Sequence, residues 1–174
     1  MTRPRPKPVP IAIVWQAAER APRGMRPWLA RLLAEYLRSL GYPGSGLNLL
    51  VANDASLRAL NARHRRRDRP TDILSFSYLD PRKSRRAAPP PGPLPRRYAA
   101  IPLLGELAVS WNRVLAQAKA NGWDARTELA RLLAHGCVHL LGYDHTTRKE
   151  DAAMRRIEER LLAGAGIKGI YPGI

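Results

Sequence analysis

Three of the four histidines of this chain fall within eleven residues, in the run His135-Gly136-Cys137-Val138-His139-Leu140-Leu141-Gly142-Tyr143-Asp144-His145. No other stretch restricts the backbone as much. His135 and His139 stand one helical turn apart, so a helix sends both imidazoles out on the same side. Leu129, Leu132, Leu133, Gly136, Cys137, Leu140 and Leu141 recur at helical spacing and mark a buried stripe with the two histidines at its margin. Gly142 supplies the left-handed conformation that ends a helix and turns the chain, which predicts that His145 returns toward the same point. Three neutral imidazoles with no fourth protein ligand in the pattern describe a catalytic zinc centre, His135, His139 and His145, with one coordination position open. The competing explanation is partly buried helix histidines with ordinary hydrogen bonds; the spacing favours the metal, because it meets both the helix and the turn requirement. Zinc is the first expectation, and the ligand type also admits another divalent metal such as nickel.

Elsewhere the chain reads as one domain. Its 174 residues, 45% hydrophobic and 25% charged, suit a single globular core rather than disorder or low complexity. Residues 1–10 form a basic, proline-rich arm without the apolar region of a secretory signal, and residues 11–174 are expected to form a single catalytic domain. Strands are predicted at 11–15, 46–52, 72–78 and 103–109. Helices are predicted around Leu29–Leu40, after Asp54 as a cap, and at 111–120, 125–141 and 148–163. Thr147-Arg148-Lys149-Glu150 is a capping box for the last of them. Residues 80–97, with six prolines and six basic side chains, read as a mobile loop. Four strands interleaved with about five helices give a layered α+β domain. The longest apolar stretches fall far below the roughly 18 residues of a membrane span. The single cysteine, Cys137, excludes an internal disulfide framework and fits a reducing cytoplasm, where no disulfide-linked partner is expected. It lies in the apolar stripe and reads as a small buried hydrophobe.

Charge points to a partner. Net charge is +16, and residues 1–97 carry 20 Lys and Arg against 6 Asp and Glu, whereas residues 98–174 carry 10 against 8. Such asymmetry suits a polyanion, whose counterions basic side chains displace. Arg63, Arg66, Arg67 and Arg69 are candidate RNA contacts, while His64, alone among them, reads as an exposed side chain rather than a ligand. Tyr143 and Phe76 can stack unpaired bases, with core packing as the default for both.

The histidine spacing also occurs in the metzincin peptidases, H-E-x-x-H-x-x-G-x-x-H, but Gly136 stands where their general-base glutamate belongs. Glu128 lies two turns before His135, about 10 Å along the axis, too far for direct proton transfer. A closer resemblance is to the bacterial YbeY family of zinc endoribonucleases and rRNA maturation factors, carried by H-G-x-x-H-L-x-G-Y-D-H at His135–His145. Upstream, Leu60-Asn61, Arg65, Asp68 and Pro70-Thr71-Asp72-Ile73-Leu74-Ser75-Phe76 resemble the family's second motif, Leu104-Gly105-Glu106-Leu107 stands for its L-G-D-I, and Met154 and Glu158 fit its final helix. The likeness covers roughly residues 45–163, with Val138 and Glu106 as mild departures and a longer proline-rich loop near 87–97.

The resemblance implies a four-stranded mixed sheet, a cleft holding the three-histidine metal, and Arg65 facing that cleft as a catalytic residue. A guanidinium there would hold the phosphate oxygens on which charge builds during hydrolysis. Asp144 either orients an imidazole or caps the turn. The expected function is a cytoplasmic, metal-dependent, single-strand-specific endoribonuclease acting in 16S rRNA 3′-end maturation and ribosome quality control. Its partners would be the rRNA precursor and the ribosome or ribosomal proteins. The alternatives are a ribosome-assembly or RNA-binding factor with structural zinc, and a zinc peptidase.

Overall fold

Ile11-Ala12-Ile13-Val14-Trp15 is too short and too β-branched for a stable helix. In the computed structural model, which describes residues 11–79 and 103–171, it is the first strand, β1 (Ile11–Trp15). The other strands are β2 (Gly46–Ala52), β3 (Ile73–Ser77) and β4 (Leu103–Ser110), paired in the order β1-β2-β4-β3. β1, β2 and β4 run parallel, and β3 lies antiparallel to β4 at the edge, so the sheet is mixed. The arm 1–10 and the loop 80–97 lie outside the described residues.

Five helices among the described residues complete the α+β domain: α1 (Met25–Ser39), α2 (Asp54–Arg65), α3 (Trp111–Asn121), α4 (Ala125–Leu140) and α5 (Arg148–Gly164). The main core lies where α1, α4 and α5 bring Leu33, Leu129, Leu133 and Met154 against Leu47, Leu49, Leu107 and Val109. On the opposite face a small cluster of Ala52, Leu57, Leu74 and Ala108 seats α2. With both faces covered, β2 is buried along nearly its whole length, as expected of an inner parallel strand.

The expected caps hold with one exception. Asp124 accepts from the Thr127 amide at the start of α4, and Thr147 with Glu150 forms the reciprocal capping box of α5. At α2 the cap is Asn53, which accepts from the Ser56 amide at 2.8 Å, rather than Asp54. Asp54 instead takes the Ser110 hydroxyl at 2.5 Å and the Arg113 guanidinium at 3.3 Å, tying α2 to α3.

α4 is the central element, with ten buried residues. Cys137 is fully buried in it, and burial pushes its thiol up to about 12. Packing around β4 is so close that a Cβ at Gly105 would sit on the Phe76 carbonyl oxygen of neighbouring β3 and 2.8 Å from Leu140 Cδ2 of α4. Two outcomes follow from this packing. Gly105→Ala is expected to cost about 1–3 kcal/mol through overpacking against backbone, read as a lowered Tm with a normal far-UV spectrum. A thiol reagent such as dithionitrobenzoate at pH 8 should leave the native protein unlabelled and label it once per chain in denaturant; fast labelling of the native state would contradict the burial of Cys137.

Candidate metal centre

At the end of α4 the backbone does what the glycine requires. Leu141 and Gly142 close the last turn onto the Val138 and His139 carbonyls, and Gly142 takes φ +87°. The chain turns, and His145 comes back beside the helix. The imidazole centroids of His135 and His139 lie 4.5 Å apart, and that of His145 lies 5.8 Å and 5.3 Å from them. One ring nitrogen from each of the three falls within 4.8 Å of the others.

The rings are held by acceptors at their backs. Glu158 Oε1 lies 2.7 Å from His135 Nδ1, and the Tyr143 carbonyl oxygen lies 2.8 Å from His139 Nδ1. A carboxylate and a carbonyl have no proton to give, so both Nδ1 atoms are donors and both Nε2 atoms are left to face inward. The two Nε2 atoms stand 3.0 Å apart. Two lone pairs at that distance repel unless a cation lies between them. One shared proton serves two nitrogens but cannot serve a third, whereas a tetrahedral zinc ion accepts three nitrogens at about 2.0–2.1 Å and so sets them about 3.4 Å apart. The donor set fits such a metal. Burial, and then the neighbouring His135, hold the His139 imidazole below the ordinary histidine range against the pull of its Tyr143 hydrogen bond. That favours the neutral form a metal needs.

The other acidic candidates lie elsewhere. Asp144 accepts the His145 backbone amide at 2.8 Å. Glu128 is fully buried and paired with Arg131 at 2.6 Å. Gly136 faces the sheet, where a Cβ would stand 2.7 Å from Ile73 Cδ1 and 2.9 Å from Leu107 Cδ2. A glutamate at this position has neither room nor a direction toward the imidazoles.

Arg65, at the end of α2, donates from Nη2 to the Ser75 carbonyl at 3.1 Å. Tyr78 and Asp72 exchange backbone hydrogen bonds with Leu104 and Ser110 of β4. By strand alternation the carbonyl of Ser75 therefore points away from β4, to the sheet edge. The Ser75 side chain stands on the sheet face under α4, 3.3 Å from the Cβ position of Gly136, the residue after His135. Ser77 Oγ donates to the Leu140 carbonyl at 2.7 Å, closing the end of the histidine helix. The edge strand thus has Arg65 on its rim and α4 on its face. Arg63, Arg66, Arg67 and Arg69 are exposed around the same turn, with Arg66 in the left-handed region at φ 55°. His64 is exposed, its ring edge-on to Phe76 at 5.0 Å. Phe76 packs against the small cluster and Tyr143 against the main core.

Residues 15–166 match the family described as Endoribonuclease YbeY. The chain belongs to the YbeY family. It is 43% identical over 122 residues to the Endoribonuclease YbeY of Roseiflexus sp. (strain RS-1), a match covering 70% of this chain and 71% of that one. It is 35% identical over 145 residues to that of Thermus thermophilus, covering 83% and 94%. The solution structure of TM1509 from Thermotoga maritima shares the fold with a TM-score of 0.51 at 20% identity, over 88% of this chain and 91% of that one. No helix among the described residues is long and apolar enough to cross a membrane.

The YbeY motif residues around Arg65 build the turn that presents it. Asn61 is buried and donates to the Arg69 carbonyl at 2.8 Å, while Asp68 takes a two-point ion pair from Arg58. Asp72 accepts the Ile73 amide on one oxygen and Gln117 on the other. Sequence reasoning placed Glu158 only on the final helix; its contact with His135 spans 23 residues and leaves no local signal. Because Gly136 abuts the sheet, Gly136→Glu, which rebuilds the peptidase motif on paper, is expected to unfold or strongly destabilise the protein rather than confer peptide hydrolysis. Circular dichroism and a casein digest check this together.

Proposed function

We propose that this chain is a metal-dependent, single-strand-specific endoribonuclease acting in maturation of the 16S rRNA 3′ end and in ribosome quality control. The rRNA precursor is its substrate, the ribosome or its proteins are its partners, and the cytoplasm is its place of work. One zinc ion is held by His135, His139 and His145, within the single catalytic domain 11–174. The observation that carries the reading is the pair of inward-facing Nε2 atoms 3.0 Å apart, with a third imidazole beside them. The name shared by the relatives supports the substrate class.

A divalent ion in this nest supplies Lewis acidity to a phosphoryl oxygen and lowers the cost of deprotonating water. The protein supplies the rest. Glu158 and the Tyr143 carbonyl fix the tautomers of His135 and His139. The Ser75 carbonyl holds one end of the Arg65 guanidinium, which keeps its remaining N–H groups for the phosphate oxygens on which charge accumulates. Arg63, Arg66, Arg67 and Arg69 extend that positive rim, and among the described residues none of them pairs with a carboxylate. A flexible single strand can follow such a rim and lay a phosphodiester against it.

The deciding experiment is cleavage of a labelled single-stranded RNA spanning a 16S 3′ end by wild type, His139→Ala and Arg65→Ala, with metal content measured on each. Both variants are expected to lose cleavage, Arg65→Ala by about 100-fold or more, and only His139→Ala to lose its metal. A folded, metal-loaded wild type that cuts no RNA would sink the reading in favour of an assembly factor. Cleavage of polypeptide instead would favour a peptidase.

A further inference from the structure

The segment after α5 turns back through Gly166, at φ +79°, with the Ile167 amide bonded to the Leu162 carbonyl. It lodges Ile170 in the main core and brings Tyr171 down onto α4 and α5. There the Tyr171 hydroxyl donates to Glu158 Oε2 at 2.5 Å. The other oxygen of the same carboxylate takes the His135 Nδ1 proton at 2.7 Å. Glu158 is only 3% exposed, so water does little to satisfy it. The Arg131 guanidinium, which pairs with fully buried Glu128, lies near the Tyr171 hydroxyl. Burial, and then Glu158, push the Tyr171 phenol above its ordinary range, so it stays a donor at any working pH.

We infer that Tyr171 is a positioning residue of the metal centre, fixing the His135 imidazole through Glu158, so that the segment following α5 is part of the site's support. This rests on the reading that His135, His139 and His145 hold a metal. The physical reason is that a buried carboxylate oxygen without a donor is costly. Deprived of the phenol, Glu158 rotates to satisfy its second oxygen. That rotation loosens the bond that holds His135 Nδ1 as a donor and aims Nε2 inward. Of the two buried carboxylates on these helices, Glu128 is paired with the Arg131 guanidinium, whereas Glu158 meets no Lys or Arg among the described residues and is turned toward His135. A cation held beyond that imidazole is its natural complement.

The test is zinc affinity of the full chain, stripped with chelator and titrated against a chromophoric competitor. It compares wild type, Tyr171→Phe, Glu158→Gln, the double variant and His139→Ala, with the Tm of each metal-free protein alongside. Tyr171→Phe is expected to bind zinc about 3- to 10-fold more weakly, and Glu158→Gln about 10- to 100-fold more weakly. The double variant should be no weaker than Glu158→Gln alone, because the phenol acts only through the carboxylate. A phenol that merely packs would lower the metal-free Tm and leave zinc affinity unchanged. Unchanged or tighter binding by Tyr171→Phe, or a penalty of equal size in both backgrounds, overturns the inference while leaving the histidine site intact. If wild type binds no zinc, or His139→Ala binds it as tightly as wild type, the reading of the site itself fails and takes this inference with it.

Discussion

Glu158 lies 3% exposed between a ring proton of His135 and the hydroxyl of Tyr171. Burying a carboxylate costs several kcal/mol unless donors meet its oxygens. α5 can therefore pack only in the register that brings Glu158 to both, and that register fixes much else. It sets Met154, Leu161 and Leu162 of the same helix into the main core. It also requires the chain between Gly142 and the Thr147 cap to close in a few residues, which is the stretch that returns His145 to the two helix histidines. The capping box at Thr147 and Glu150 starts α5 at a defined residue and so helps hold that register. The same bond that orients one imidazole thus sets the path by which a third arrives.

α4 carries a core and a site on opposite margins, and the sheet decides which is which. Gly136 is pressed against Ile73, Leu107 and Ser75, while His135 and His139, on either side of it in sequence, bring their rings to 4.5 Å of each other. A β-branched or large side chain at 136 would push the helix off β3 and β4 and carry the imidazoles with it. Gly105 plays the matching part from below, letting Leu140 approach the backbone where Phe76 crosses. Close approach at both points is how a structure held by apolar packing places polar atoms to within fractions of an ångström.

Local rules were enough to read the elements. Helical spacing from Leu129 to Leu141, the left-handed turn at Gly142 and the capping box at Thr147 all stand in the structure, because each depends on neighbours in the chain. The sheet order β1-β2-β4-β3 and the partners of the histidine rings depend on residues far apart, and periodicity carries no record of them. Asp54 shows the limit on a smaller scale. Asn53 and Asp54 are both good caps, and only the arrival of Ser110 and Arg113, more than fifty residues later, draws Asp54 into a tertiary contact and leaves the cap to Asn53. Tyr171 gave no signal at all, since a tyrosine near a helix end is as consistent with surface as with a buried donor.

The placement of charge gives a last argument about what a site like this selects. Behind His135 the buried carboxylate of Glu158 meets no Lys or Arg among the described residues; along the rim of β3 the exposed charge is positive, on Arg65 and its neighbours. A carboxylate behind the imidazoles lowers the potential where a metal dication would sit, and a row of guanidinium groups raises it where a phosphate would approach. Peptide substrates carry no charge along their backbone and gain nothing from such a rim, whereas each phosphodiester carries one and gains from every guanidinium it passes. With Gly136 closed to a glutamate base and the rim built of arginine, the histidine spacing shared with metzincins comes in a chain whose exposed edge suits polyanions rather than peptides. The proposed substrate class thus rests on the turn after α2 and the edge of β3, not on the helix that holds the imidazoles.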